Sequence, residues 1–439
     1  MIYFDDLNKK RFERNFIMKK EFKILELFAG VGGFRLGFES SNKSVYKTKW
    51  ANQWEPSKKS QDAFEIYNYH FEESENINKD IQKISDEEFK KMDADIIVGG
   101  FPCQDYSVAR SKKGELGIEG KKGVLFWEII RAVTQIKPQY LILENVDRLL
   151  KSPSSQRGRD FAVMLSAFNE LNYSVEWRVI NAAEYGRAQR RRRVFFFVYK
   201  NDTDFAIKID EELSSSDLEV SNYDEYVFEK GLFARQFPIK NHPVKGRHET
   251  YKLPSDIVEV SDNFTGKVFN TGIMRHGKYL TIDTTPTMDE EPKTLGDILE
   301  KEEDIPSKYY ITDKERLEKF KYLRGPKKIE RTSSTGHKYI YSEGGMSSTD
   351  SLNLPSRTML TSEGTLNRST HLIEIDGRFR LLTPIEAERL QDFPDNWTKY
   401  KRDSTGSIVE VSDRMRMFFM GNALVTGIVK RIADEIIKI

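Results

Sequence analysis

The chain has 439 residues, 38% of them hydrophobic and 32% charged, with a formal net charge of +1, one cysteine and six histidines. This describes a globular chain long enough for more than one domain, and no apolar run approaches the roughly 20 residues that cross a bilayer. With one thiol, an intrachain disulfide and a multi-cysteine zinc site are excluded, so a reducing cytoplasm, no membrane and no metal are expected.

Residues 1–21 read as an N-terminal extension, in which Phe4, Phe12 and Phe16 are interleaved with Lys and Arg. That pattern fits a helix packed on the body or a basic arm. From Phe22 to Lys200, apolar runs of buried-strand length alternate with helical spacing. Strands are expected at Ile24 to Phe28, Asp95 to Val98, Tyr140 to Leu143 and Val194 to Val198, and a helix over Phe126 to Ile136. The result is an α/β unit with a mainly parallel sheet. Residues 201–355 change texture to Ser, Asp, Glu and Thr clusters with short aromatic runs, which suits a second domain of irregular and β structure. Helical spacing returns at Pro384 to Leu390 and Gly427 to Ile437, so residues 356–439 are expected to pack back on the first domain.

The chemistry-bearing residues follow the expected strands. Phe28-Ala29-Gly30-Val31-Gly32-Gly33 is a glycine turn that lets backbone approach a ligand and aims a helix N-terminus at it; taken alone it is equally a structural turn. Cys103 lies in Gly99-Gly100-Phe101-Pro102-Cys103-Gln104. A free thiol there is either an inert buried group or a nucleophile, and a strand tip running into Gly and Pro favours the nucleophile. Glu144-Asn145-Val146 ends the next strand with a carboxylate suited to a salt bridge or to acid catalysis. The run Gln189 to Arg193 enters a strand; it is a solvated face unless strand alternation aims Arg191 and Arg193 to one side.

Taken together and in this order, the blocks resemble the DNA (cytosine-5)-methyltransferases of bacterial restriction-modification systems. The resemblance runs from Ile24 to the C-terminus and includes Arg380-Leu381-Leu382-Thr383-Pro384, Phe393-Pro394-Asp395 and Gly421-Asn422-Ala423. It implies a Rossmann-like methyltransferase sheet with a second, smaller mixed/β target-recognition domain. It implies Cys103 as the nucleophile toward cytosine C6, Glu144 at ring N3, and Arg193 with Arg191 at O2 or a flanking phosphate. The implied cofactor is S-adenosyl-L-methionine, held by Phe28, Ala29, Gly30, Gly32, Gly33, Gln53, Trp54, Asp80, Ile81, Leu125, Asn422 and Ala423. Gln53 departs from the family's usual acidic residue at the ribose; it can accept a hydrogen bond but lacks the charge, and Glu55 stands two positions on.

The resemblance also implies double-stranded DNA as substrate, with the target base flipped out of the duplex. Gln104, Ser107, Arg110, Lys112 and Lys113 belong to a basic stretch, Ser107 to Gly123, suited to closing over phosphates. Arg324, Lys327, Lys328 and Arg331, with the hydroxyl-rich run Thr332 to Tyr339, suit phosphate contact and base reading. A cognate restriction endonuclease is the expected functional partner, and the enzyme is expected to be a monomer. Two rivals are a tRNA cytosine-5 methyltransferase, against which the long middle segment argues, and a catalytically silent DNA-binding protein, against which intact Cys103, Glu144 and Arg193 argue.

Overall fold

A computed structural model describes residues 21–56, 58–102, 124–212, 226–240, 247–333 and 336–439. Its centre is a ten-stranded sheet built from β1 (Phe22–Leu27), β2 (Tyr46–Asn52), β3 (Glu75–Ile77), β4 (Ile96–Gly100), β5 (Tyr140–Val146), β6 (Tyr173–Asn181), β7 (Arg192–Lys200), β8 (His248–Lys252), β9 (Thr271–Arg275) and β10 (Lys278–Ile282). The strand order is β3-β2-β1-β4-β5-β7-β6-β9-β10-β8. Pairings from β3 to β5 are parallel. The five from β5 to β8 are antiparallel; within residues 22–200, where a mainly parallel sheet was expected, four of the six pairings are parallel.

The segment expected in a separate second domain departs further. Strands β8, β9 and β10 extend the central sheet through β6, because Val175 to Arg178 present a free edge that β9 pairs with in register. The central sheet therefore runs across the boundary expected at residue 200. Residues from about 295 onward contribute to two further cores, one in which Leu295, Met359, Ile373, Leu382 and Met417 pack with Val31, Ala63, Ile66 and Ala188, and a smaller one of their own around Ile311, Phe320, Leu372 and Leu381.

Helices flank the sheet: α1 (Gly33–Asn42), α2 (Asp62–His70), α3 (Asp86–Lys91), α4 (Val124–Ile136), α5 (Arg159–Glu170), α6 (Asp204–Glu212), α7 (Leu232–Gln236) and α8 (Ile257–Asn263). One face is covered by α1, α6 and α7, the other by α3, α4, α5 and α8. The remaining helices are α9 (Lys314–Arg324), α10 (Pro384–Leu390), α11 (Asp413–Asn422) and α12 (Thr426–Ile436). The tail packs against the first strands: Tyr46 Oη donates to Ala433 O at 2.7 Å. A Cβ on Gly37 of α1 would lie 2.6 Å from Val429 of α12, so a small residue is required where the two helices touch.

Three hairpins complete the fold: β11 (Lys327–Thr332) with β12 (Lys338–Glu343), β13 (Ile373–Ile375) with β14 (Arg378–Arg380), and β15 (Tyr400–Arg402) with β16 (Ile408–Glu410). In the parallel half the chain winds outward from β1 to β2 and β3, then crosses back to β4. That reversal opens a crevice beyond the carboxyl ends of β1 and β4, the place where ligands enter such sheets.

Candidate functional site

A cleft of about 1420 Å³ occupies that crevice. Its floor is the turn after β1, where Phe28 (φ 54°), Gly30 (φ 55°) and Gly32 (φ 91°) are left-handed and fold the chain sharply into α1. Two glycines there have opposite surroundings. A Cβ on Gly32 would come 2.6 Å from the Phe71 ring, whereas one on Gly30 would meet nothing within 4 Å. Gly30 N–H donates to Gln53 Oε1 at 2.8 Å, so the glutamine that departs from the family pattern braces the turn.

Every residue expected to hold the cofactor lines the cleft except Gly32, which packs behind the turn. Trp54 presents a face that is 38% exposed. Asp80 accepts a hydrogen bond from Gln82 N–H at 3.1 Å and so caps a short 3-10 turn, with buried Ile81 beside it. Glu55 is drawn to the first turn of α2, where it accepts from Ala63 N–H at 3.4 Å, and burial raises its pKa.

The reactive wall is set by strand register. Gly100 pairs with Glu144 across β4 and β5, and Val146 pairs with Arg193 across β5 and β7. Glu144 and Arg193 are thus diagonal neighbours on one face, and Arg193 Nε meets Glu144 Oε1 at 2.8 Å. A Cβ on Gly100 would come 3.0 Å from Glu144 Oε2, so glycine leaves the carboxylate its room. Asn145 Nδ2 donates to Phe101 O at 3.0 Å and ties down the strand that leads to the thiol. Pro102 lines the cleft. Cys103 itself lies outside the described residues, as do Gln104, Ser107, Arg110, Lys112 and Lys113.

Arg191 corrects an expectation. It does line the cleft, but its guanidinium is buried and donates to Met359 O and Gly421 O, both at 3.1 Å. Burial, and then the neighbouring Arg193, lower its pKa, while Glu144 opposes them. Its hydrogen bonds hold the tail and the segment around Met359 against the cleft, whereas Arg193 is the arginine of the two that pairs with Glu144.

Arg324 is a second correction. Expected at DNA, it is fully buried and donates to Asp350 Oδ2 and Thr370 O at 2.6 Å. Lys327 is largely covered and donates to Leu323 O at 2.6 Å and Glu343 Oε2 at 3.2 Å. Lys328 and Arg331 do project from the β11–β12 hairpin, and Arg331 lies 4.1 Å from the Tyr341 ring centroid.

Several cleft residues escaped the sequence reading. Glu128 lies one turn beyond Leu125 on α4, a spacing that could have revealed it; it is buried, its pKa is raised by burial, and Arg131 Nε donates to it at 2.8 Å. Phe418 and Phe419 come from the tail and carried no local signal. Glu26, two residues before Phe28, is fully buried beneath the turn; burial pushes its pKa up to about 7 despite the Tyr67 Oη hydrogen bond at 2.9 Å.

A family model for C-5 cytosine-specific DNA methylases matches residues 22–438. The chain belongs to that family. It is 56% identical over 417 residues to the Type II methyltransferase M.Sau3AI of Staphylococcus aureus, covering 95% of this chain and 96% of that one. It is 34% identical over 181 residues to the Type II methyltransferase M.HhaI of Haemophilus parahaemolyticus, covering 41% of this chain and 50% of that one. Among solved structures, an S. pombe Dnmt2 methyltransferase shares the fold, with a TM-score of 0.57 at 13% identity over 94% of this chain and 98% of that one. The activity of this C5 methylase is methyl transfer to cytosine in DNA, and its close relatives are restriction-modification enzymes. Among the described residues, no helix is long and apolar enough to cross a membrane.

Proposed function

We propose that this methylase transfers the methyl group of S-adenosyl-L-methionine to C5 of a cytosine flipped out of double-stranded DNA at one short sequence. The carrying observation is the Glu144–Arg193 ion pair, 2.8 Å across, in the same cleft as the open glycine turn and beside the strand end that leads to Cys103. The cleft's chemistry fits the cofactor. Trp54 offers an aromatic face for adenine, Asp80 and Ile81 an edge, and the turn at Gly30 has open space for close approach. When bound, S-adenosylmethionine supplies an electrophilic methyl group.

The chain's own residues would do the rest. C5 of cytosine is a weak nucleophile until a thiolate adds to C6, and Cys103 is the only thiol in the sequence. As the Cys103 S–C6 bond forms, the ring electron pair shifts toward C5 and N3. Glu144 meets the charge at N3 with a proton, and Arg193 orients that carboxyl group and holds O2, interactions stronger in the transition state than before it. Once C5 carries the methyl group, loss of the C5 proton would re-form the C5–C6 double bond and expel Cys103, and the N3 proton would return to Glu144. Extruding the base costs a few kcal/mol, which contacts along the duplex must offset.

Those contacts fall to the exposed Lys328 and Arg331 of the hairpin and to the basic stretch after Cys103. We assign the chain a cytoplasmic role as a monomer beside a cognate restriction endonuclease, supported by its near full-length likeness to a Type II methyltransferase. The test is bisulfite sequencing of plasmid DNA from cells expressing the chain, with Cys103→Ala in parallel. Protected cytosines in one short motif, absent with the variant, are expected. Folded protein that leaves every cytosine unprotected overturns the reading.

A further inference from the structure

The segment from Asp350 to Leu372 contains a buried polar cluster that the reaction does not use. Ser356 Oγ lies 2.8 Å from His371 Nε2, and His371 Nδ1 lies 2.9 Å from Glu363 Oε2. Glu363 Oε1 also accepts from His371 N–H at 2.7 Å. The three residues are 3%, 0% and 2% exposed, so the arrangement is sealed from substrate and Ser356 is not a nucleophile. Burying a carboxylate and an imidazole together is costly unless they are paired and fixed.

Each end of this cluster is tied to a different functional region. At one end Ser356 pairs with the arginine run: Ser356 N–H donates to Ala188 O at 2.7 Å and Arg190 N–H to Ser356 O at 2.8 Å. Thr358 Oγ1 donates to Arg190 O at 2.6 Å, and Arg191 donates to Met359 O at 3.1 Å. Arg193 follows two residues later. At the other end, Leu372 N–H donates to Asp350 Oδ2 at 3.0 Å. Asp350 also receives Arg357 Nε and Arg324 Nη2, both at 2.6 Å. Arg324 ends α9, and Lys327 three residues on begins the reading hairpin.

We propose that the Ser356–His371–Glu363 relay, joined to the Arg324–Asp350–Arg357 cluster, is the rigid link that sets Arg191 and Arg193 relative to the β11–β12 hairpin. A correctly read sequence is thereby presented in register to the Arg193–Glu144 pair that the central sheet already holds. The proposal rests on the hairpin's role as a DNA reader. His371 and Ser356 are positioning residues, acting through backbone that bears the arginines.

The experiment uses the full chain with three variants, Ser356→Ala, His371→Asn and His371→Gln. It measures the single-turnover rate at saturating DNA and cofactor, the DNA dissociation constant, and the rate ratio between the cognate duplex and one with a single changed base pair. An asparagine places its amide near His371 Nδ1 and abandons Ser356, whereas a glutamine reaches toward Ser356. The expected result is a rate about tenfold lower for Ser356→Ala and His371→Asn, with a reduced cognate ratio and little change in DNA affinity, and substantial recovery in His371→Gln. A folded Ser356→Ala enzyme with parental rate and cognate ratio overturns the link, as does a loss explained wholly by weaker DNA binding. If His371→Asn fails to fold, Ser356→Ala, which deletes one oxygen, decides alone. Lys328→Ala, measured alongside, tests the hairpin reading separately: unchanged DNA affinity and salt dependence there count against the reader, while the relay is judged on rate at saturation.

Discussion

In the cleft, Glu144 and Arg193 are 13% and 18% exposed and already paired at 2.8 Å, each fixed by strand register. In the β11–β12 hairpin, Lys328, Glu330 and Thr332 on one strand and Lys338, Ile340 and Ser342 on the other share a face that is exposed throughout. The difference suits the role proposed for each. Chemistry gains from groups held in place before the substrate arrives, because no reorganisation is then left for the transition state. Reading a duplex needs side chains that stand in water until base edges and phosphates replace it. A two-stranded ribbon of that kind is narrow enough for a major groove.

The sharpest way to break the comparison is at the thiol. Cys103→Ala should lower methyl transfer by on the order of 10³-fold or more while DNA binding persists, read by tritium transfer and by gel shift. Retained turnover would remove the nucleophile from the mechanism. Glu144→Gln comes next, with an expected fall in kcat of about 10²- to 10⁴-fold at unchanged cofactor affinity. A change in KM alone would mean that the carboxylate binds and does not catalyse.

The carboxyl buried beneath the glycine turn offers a pH test. Glu26 has a folded pKa of about 7 against an ordinary 4.5, so the native state holds its proton more tightly than the unfolded chain. The stability this contributes is full below about pH 4.5 and is lost as pH rises toward 7, by at most about 3 kcal/mol. Glu26→Gln should flatten that part of the curve in urea titrations at several pH values. An unchanged slope would show that the group titrates normally. Trp54→Ala should raise the cofactor dissociation constant about tenfold, the scale of one lost stacking contact, by calorimetry with S-adenosylhomocysteine. The smallest effect belongs to the hairpin: Lys328→Ala should reduce the slope of log affinity against log salt by about 1, with kcat unaltered. An unchanged salt slope there would remove Lys328 from the phosphate contacts.

Much of this molecule was legible along the chain. β1, β4, β5 and β7 fall where the apolar runs placed them, α10 spans Pro384–Leu390 as expected, and α12 differs by one residue at each end. The glycine turn and Glu144 were legible for the same reason: each is defined by neighbours within a few residues, and strand ends in a parallel sheet converge on one edge. The lining by Phe418, Phe419 and Asn422 depended on a resemblance or was missed, since these residues lie more than 300 positions beyond the glycine turn.

What the sequence by itself determined is therefore local: the buried-strand runs, the turn chemistry, and the residue types able to carry out cytosine methylation. Tertiary structure alone decided that β8, β9 and β10 extend the central sheet, because an edge strand accepts whichever partner the packing delivers. It also decided which arginines are taken up by backbone carbonyls and which meets the cleft carboxylate. Arg191 and Arg193 look alike in sequence, yet one donates to Met359 O and Gly421 O and the other meets Glu144. Arg324 reads as basic surface until Asp350, 26 positions away, takes it into the interior. A charge is exposed or buried according to whether a distant partner can repay its desolvation, and only the folded chain brings that partner near.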